Sequence, residues 1–161
     1  MIVRDEEDAD RGAIREIVTA AFGQSEEADL VDWLRADGDS VISLVADDEG
    51  EIVGHVLFSR IKSALRALGM APVSVLPGRQ GSGIGSQLVR AGLERAAEEG
   101  WQAVFVVGEP DYYRRFGFDP ATAKGFSSLY SGPYLMAVAL DKPLPVSTGK
   151  IEFAPAFAKL G

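Results

Sequence analysis

A strand that stops at a proline, then a turn with alternating glycines, then a helix that begins inside the turn, leaves little freedom to the chain around it. Residues Val73-Ser74-Val75-Leu76-Pro77-Gly78-Arg79-Gln80-Gly81-Ser82-Gly83-Ile84-Gly85-Ser86 carry this pattern. Glycine lets the backbone turn tightly with no Cβ in the way. At a helix N-terminus the free N–H groups add to the macrodipole and form a site for phosphate oxygens. Arg79 and the hydroxyls of Ser82 and Ser86 can supplement them. The same glycines would also serve a tight turn with no ligand. A P-loop is excluded, because no Gly-Lys-Ser/Thr closes the segment. A nucleotide-binding oxidoreductase domain would take its first glycine almost directly from the strand, whereas Pro77-Gly78-Arg79-Gln80 intervene.

The remaining chain reads as a single domain over 1–161. Ile2–Arg4 is a short strand, and Asp10–Phe22 places Ile14, Ile17, Val18, Ala21 and Phe22 at helical spacing. Ser25 stands as an N-cap before a second helix with Leu30, Val31 and Leu34 on one face, ended by Gly38. Val41–Ala46 and Glu51–Ile61 flank Asp47-Asp48-Glu49-Gly50, so they pair antiparallel. A further strand runs through Met70 to Leu76. Gly83–Gly100 is a helix with Ile84, Leu88, Val89, Ala91, Gly92, Ala96 and Ala97 inward. Val104–Val107 is an apolar run with no alternation, read as fully buried. Pro110–Phe116 is a short helix or turn, Leu135–Leu140 a strand, and Ile151–Phe153 a candidate for one more. The order β-α-α-β-β-β-α-β-α-β gives an α/β (α+β) fold, a mixed sheet with helices on both sides.

The chain has no cysteine and one histidine, His55, which excludes disulfides, thiolate metal sites, a cysteine nucleophile and histidine-rich metal clusters. Metal ligands are accordingly expected to be none. The start, MIVRDEEDADRG, is acidic where a secretion signal would be basic and then apolar. No apolar run approaches the roughly 20 residues of a membrane span. A cytoplasmic protein is expected. The net charge of −8, with acids crowded into the first third, disfavours nucleic acid. It would suit a cationic acceptor, or simply form a solvated acidic face.

Two segments carry a family resemblance. Gln80-Gly81-Ser82-Gly83-Ile84-Gly85 resembles the Gln/Arg-x-x-Gly-x-Gly/Ala signature of the GNAT superfamily of N-acetyltransferases, and Tyr113-Arg114-Arg115-Phe116-Gly117-Phe118 its Tyr-x-x-x-Gly-Phe segment. The longer string Gly108–Phe118 and the tail from Gly149 to Phe157 are similar to a subgroup of predicted N-acetyltransferases, largely without assigned acceptors. The resemblance implies a mostly antiparallel sheet that splays at a cofactor cleft. It implies acetyl-CoA as donor and CoA as product, with transfer to a primary amine. Val73, Ser74 and Val75 would lie along the pantetheine arm, and Gln80, Gly81, Ser82, Gly83, Ile84, Gly85 and Ser86 would hold the pyrophosphate. Tyr113 matches the family's general acid, which protonates the departing thiolate, and Tyr112 beside it competes for the role. The asparagine many relatives carry seven residues before the tyrosine is replaced by Val106.

A general base is less defined. His55 has the intrinsic pKa for it, although a lone strand histidine is also a common structural residue. Glu109, Glu27 or a bound water chain are alternatives. With no cysteine to carry an acyl group, direct attack in a ternary complex is expected. The acceptor, a small molecule or peptide amine, would enter beside Phe22–Glu27, with Phe126–Tyr134 facing the same cleft. The alternative reading is a non-catalytic CoA-binding regulatory module of the same fold. A monomer or homodimer is expected.

Overall fold

The computed structural model describes residues 1–160. Its main sheet has six strands: β1 (Ile2–Asp5), β2 (Ser40–Asp48), β3 (Glu51–Ile61), β4 (Ala67–Val75), β5 (Ala103–Val107) and β7 (Leu135–Ala139), adjacent in that order. Every pairing is antiparallel except β4 with β5. Helices α1 (Arg11–Phe22) and α2 (Glu26–Ala36) cover one face, and α3 (Ile84–Glu98) covers the other. The mixed, mostly antiparallel sheet flanked by helices agrees with the sequence expectation.

Strand alternation sorts the two cores. Ile42, Leu44 and Ala46 of β2 join Val56 and Phe58 of β3 beneath α3. Val45 and Leu57 point the other way, against Ile14, Val18, Leu30 and Leu34. Two short helices, α4 (Pro110–Tyr113) and α5 (Pro120–Ala123), follow β5.

Several local expectations are corrected. Ile151–Phe153 is not a strand; the tail pairs instead through β8 (Gly149–Lys150), parallel to β6 (Phe126–Ser127), and through a bridge between Glu152 and Lys62. Ser25 sits at the N-cap position of α2 but its side chain caps nothing. Ala97 and Phe22 are exposed because each stands at the solvent edge of its helix. Val107 is 46% exposed, since β5 leaves the core at its last residue. The acids of the first third are not merely a solvated face: Asp5 pairs with Arg95, Asp10 with Arg4, Asp29 and Asp32 with Arg15, and Glu6 with Arg35.

The feature that shapes the molecule is the parting of β4 and β5. They pair only at Ala67–Ala103, Leu68–Val104 and Gly69–Phe105, while β4 continues to Val75. From Met70 onward the edge of β4 facing β5 has no strand beside it. At the vertex, Phe153 from the tail lies over Gly69, where a Cβ would come 2.8 Å from its ring.

Close helix–sheet approach depends on Gly92, whose absent Cβ leaves room for the buried ring of Phe58. Gly92→Ala should destabilise the fold by about 1–3 kcal/mol through overpacking. Gly12, in α1, faces open space, and Gly12→Ala should be neutral or stabilising by up to about 1 kcal/mol. Urea denaturation midpoints of the two variants give the comparison.

Candidate active site

The gap between β4 and β5 opens into a groove of about 450 Å³. Val73 and Val75 form one wall, Tyr112, Tyr113 and Arg115 another, and Gln80, Gly81, Gly83, Ile84, Gly85 and Ser86 the end; Ala21 and Phe22 border it from α1. The two motifs, separate in sequence, thus meet across one groove.

The glycine turn has the conformation an anion site needs. Gly81 and Gly83 have φ of 80° and 88°, a region costly to residues with a Cβ. Gln87 N–H is bonded back to Gly83 O at 3.1 Å. The N–H groups of Ile84, Gly85 and Ser86 precede it, so no helical carbonyl lies behind them. Gln80 Nε2 donates to Val75 O at 3.1 Å, which ties the turn to the end of β4. Arg79 lines the groove while it is held by carboxylates, and Ser82 turns its hydroxyl back into the turn. Arg79 is paired with Asp48 and Glu51, and Ser82 Oγ donates to Arg79 O. Two cations border the groove: Arg79, already paired with carboxylates, and Arg115, held over the Tyr112 ring at 4.5 Å with Nε donating to Tyr112 O. Sequence reasoning quoted Arg115 inside a motif without assigning it.

Tyr112 and Tyr113 meet edge to face at 5.0 Å and diverge. The Tyr112 hydroxyl lies by Gly85, whose Cβ would be 3.3 Å from it, and so belongs to the turn end. The Tyr113 ring lies across Gly108, in space that any Cβ there would occupy, and against Phe116 and Phe118. Burial pushes the Tyr113 phenol above its ordinary value, with Tyr112 adding to the effect. At neutral pH it is a neutral hydroxyl, able to donate.

His55 does not border the groove. It is fully buried beneath the α1–α2 side, so it cannot touch an acceptor directly as the sequence reading supposed. Its Nε2 lies 2.8 Å from Ser43 Oγ and 3.8 Å from Glu6 Oε1. Burial pushes the imidazole pKa down, and neighbouring Glu6 only partly opposes this. Glu27 and Glu109 are likewise absent from the groove lining. The segment 126–134 does not face this groove either. Phe126 and Ser131–Pro133 line one separate hollow with α5, and Ser127–Tyr130 line another with Phe153 and Phe157. No helix among the described residues is long and apolar enough to cross a membrane.

A parted parallel strand pair, a glycine turn opening a helix and a tyrosine across the gap define an acetyltransferase fold of the GNAT type. Residues 8–118 match the acetyltransferase (GNAT) family, and the chain belongs to it. It is 42% identical to the uncharacterized N-acetyltransferase YjhQ of Escherichia coli K12, over 91% of this chain and 88% of that protein. The crystal structure of E. coli YhbS, a GNAT family N-acetyltransferase in complex with CoA, superposes with a TM-score of 0.93 at 33% identity, covering 99% of this chain and 93% of that one. A Brucella melitensis GNAT acetyltransferase in complex with acetyl-CoA gives 0.83 at 34% identity, with 97% of both chains covered.

Burial would raise the Glu6 carboxyl, but His55, Arg35 and Ser43 outweigh it and bring the pKa down to about 2 from 4.5. Glu6 and His55 both hold a proton less readily when folded. The unfolded chain therefore gains protons first as pH falls, and stability drops. The loss should begin below 6.5 for His55 and continue from 4.5 to about 2 for Glu6. Glu6→Gln should flatten the lower part of this decline, read from denaturation midpoints at pH 7, 5 and 3.

Proposed function

We propose that the protein transfers an acetyl group from acetyl-CoA to a primary amine by direct attack in a ternary complex, the whole of 1–161 acting as one catalytic unit. The observation that carries this reading is the single groove that brings the positive-φ glycine turn, the open edge of β4 and Tyr113 together. The complexes of the YhbS and Brucella relatives with CoA and acetyl-CoA support the donor.

The residues present fit such a donor. Gly81 and Gly83 leave the turn free of Cβ atoms, and Ile84–Ser86 direct unpaired N–H groups outward, a nest for the pyrophosphate. Arg115 adds a cation on the same side. Val73–Val75 bond to β3 on one side; on the other, Val75 O accepts from Gln80 and the remaining backbone groups are open to the amides of an extended arm. When bound, acetyl-CoA supplies an activated thioester carbonyl. Tyr113 would hydrogen-bond the sulfur and donate its proton as the carbon–sulfur bond breaks. Its phenol, raised by burial, is a weak acid for a thiolate near pKa 8.5. Its contribution is therefore chiefly placement and charge stabilisation of the leaving group.

The acceptor amine would arrive from the Ala21–Phe22 side, where the groove opens past α1. A non-catalytic CoA-binding module needs only the turn and the strand edge. The neutral Tyr113 hydroxyl across the gap favours the enzyme.

Thiol release from acetyl-CoA against an amine library tests the activity, and a thermal-shift comparison of CoA with NAD tests the ligand. Stabilisation by NAD and none by CoA would remove the reading. Gly83→Asp puts a Cβ into a left-handed position and a negative charge into the nest. It should weaken CoA binding by roughly tenfold or more, equivalent to about 1.4 kcal/mol, while the protein stays folded. Tyr113→Phe should lower kcat by about 10²-fold, the low end for positioned proton transfer, with the KM for acetyl-CoA nearly unchanged. Tyr112→Phe should retain most of the turnover. Near-normal rates in both variants would mean that the thiolate departs without a tyrosine.

A further inference from the structure

In a chain of net charge −8, Arg4, Arg11, Arg15, Arg35, Arg79 and Arg95 each form an ion pair. Arg90 and Arg115 form none among the described residues. Their guanidinium groups lie instead over aromatic rings, Arg90 over Phe116 at 5.0 Å and Arg115 over Tyr112 at 4.5 Å. The two rings meet edge to face at 5.5 Å, so one packed aromatic pair carries both cations. Arg90 Nη2 donates to Arg115 O at 3.4 Å, and Arg115 Nε donates to Tyr112 O at 2.9 Å. Both terminal nitrogens of Arg115, and Nε and Nη1 of Arg90, keep their hydrogens free for another acceptor. Rings and carbonyls thus fix these groups in place without cancelling their charge.

The pair stands just past the glycine turn. Ser86 lines the groove, and Arg90 follows it by one helical turn on the same side of α3. Arg115 lines the groove itself, and the Tyr112 ring beneath it reaches Gly85 of the turn through its hydroxyl. No carboxylate lines this groove. Glu94, one turn beyond Arg90, and Asp111, one turn before Arg115, make no ion pair with either.

A pyrophosphate seated in the turn is met by the N–H groups of Ile84–Ser86 and the helix end. Two fixed cations beside it, without carboxylate partners, suit a second and more strongly charged group. A phosphate monoester carries about −1.5 to −2 charge near neutral pH on three terminal oxygens, and guanidinium groups bind such oxygens in pairs. CoA has one monoester, the 3′-phosphate of its ribose, joined to the pyrophosphate through the sugar. NAD has none. We infer that Arg90 and Arg115 form a subsite for the 3′-phosphate of the donor, through which the protein selects CoA thioesters over their 3′-dephospho forms. The inference rests on the acetyl-CoA reading above, which puts the pyrophosphate in the turn. Stacking on Phe116 and Tyr112 holds the two side chains before the ligand arrives, so little freedom is lost on binding. Both arginines are exposed, and salt therefore weakens the selection.

Calorimetric titration of the whole protein with CoA and with 3′-dephospho-CoA reads the subsite and needs no acceptor. Wild type should bind CoA at least about tenfold more tightly, the scale of one exposed charge-assisted bond, and added salt should shrink that ratio. Arg90→Gln should weaken CoA by about tenfold while changing dephospho-CoA by less than about twofold. Arg115→Gln should weaken CoA more than dephospho-CoA, and the double variant should bind the two alike. Arg114→Gln makes the same charge change on a neighbour outside the groove lining and should keep the wild-type ratio. Equal affinity of wild type for CoA and dephospho-CoA overturns the subsite, and this comparison stands even where a variant fails to fold. An equal loss for both ligands in Arg90→Gln and Arg115→Gln also overturns it, since the cations would then serve the pyrophosphate. Wild-type protein that binds neither ligand instead removes the acetyl-CoA reading.

Discussion

The structure depends on where one strand pairing stops. After Gly69 and Phe105 the hydrogen-bond ladder between β4 and β5 ends, although both strands continue. Unpaired backbone groups are costly when buried and useful when they face a ligand. Here the parting leaves one edge of β4 exposed toward a groove and sends β5 toward α4, so the same event makes a binding edge and carries Tyr113 to the opposite wall. The glycine turn then closes the end of the groove with helix N–H groups. Fold and site are in this sense one feature.

Around that opening the molecule is held by ordinary means. Alternating residues of β2 and β3 divide into two apolar layers, one under α3 and one under α1 and α2. The acidic N-terminal third is tied back to arginines on β1, α1, α2 and α3. Much of its negative charge is thereby spent within the protein. The polar chain from Arg35 through Glu6 and Ser43 to His55 carries polar groups into the layer beneath the helices.

Local chemistry made much of this legible in the sequence. Three glycines at a strand-to-helix junction and a Tyr-x-x-x-Gly-Phe segment identified the turn, the tyrosine and the family, because each depends on neighbours in the chain. What was not legible depends on residues distant in sequence. Val104–Val107 has no alternation, yet Val107 is exposed because the sheet parts there. His55 resembled an accessible base because its strand gave no sign of the helix lying over it. Arg79 reads in the sequence as a free cation beside the turn, and its pairing with Asp48 and Glu51 depends on a hairpin about thirty residues earlier. Phe126–Tyr134 could be placed near a cleft but not assigned to one, and it lines other hollows. Arg115 and Gly108 lay within a quoted motif, but only the stacking on Tyr112 and the ring of Tyr113 reveal their use.

Phe153 over Gly69 has a mechanical meaning. It places an aromatic wedge from the tail on the last rung before the strands part, with the Lys62–Glu152 bridge anchoring it from the side. A strand pair that ends in mid-sheet could in principle zip further, narrowing the opening, or peel back and widen it. A ring seated on the hinge line resists both. The aperture presented to a ligand is thus set from outside the groove, by a residue that touches neither the turn nor the tyrosine, and the tail of the chain works as the fulcrum of the cleft.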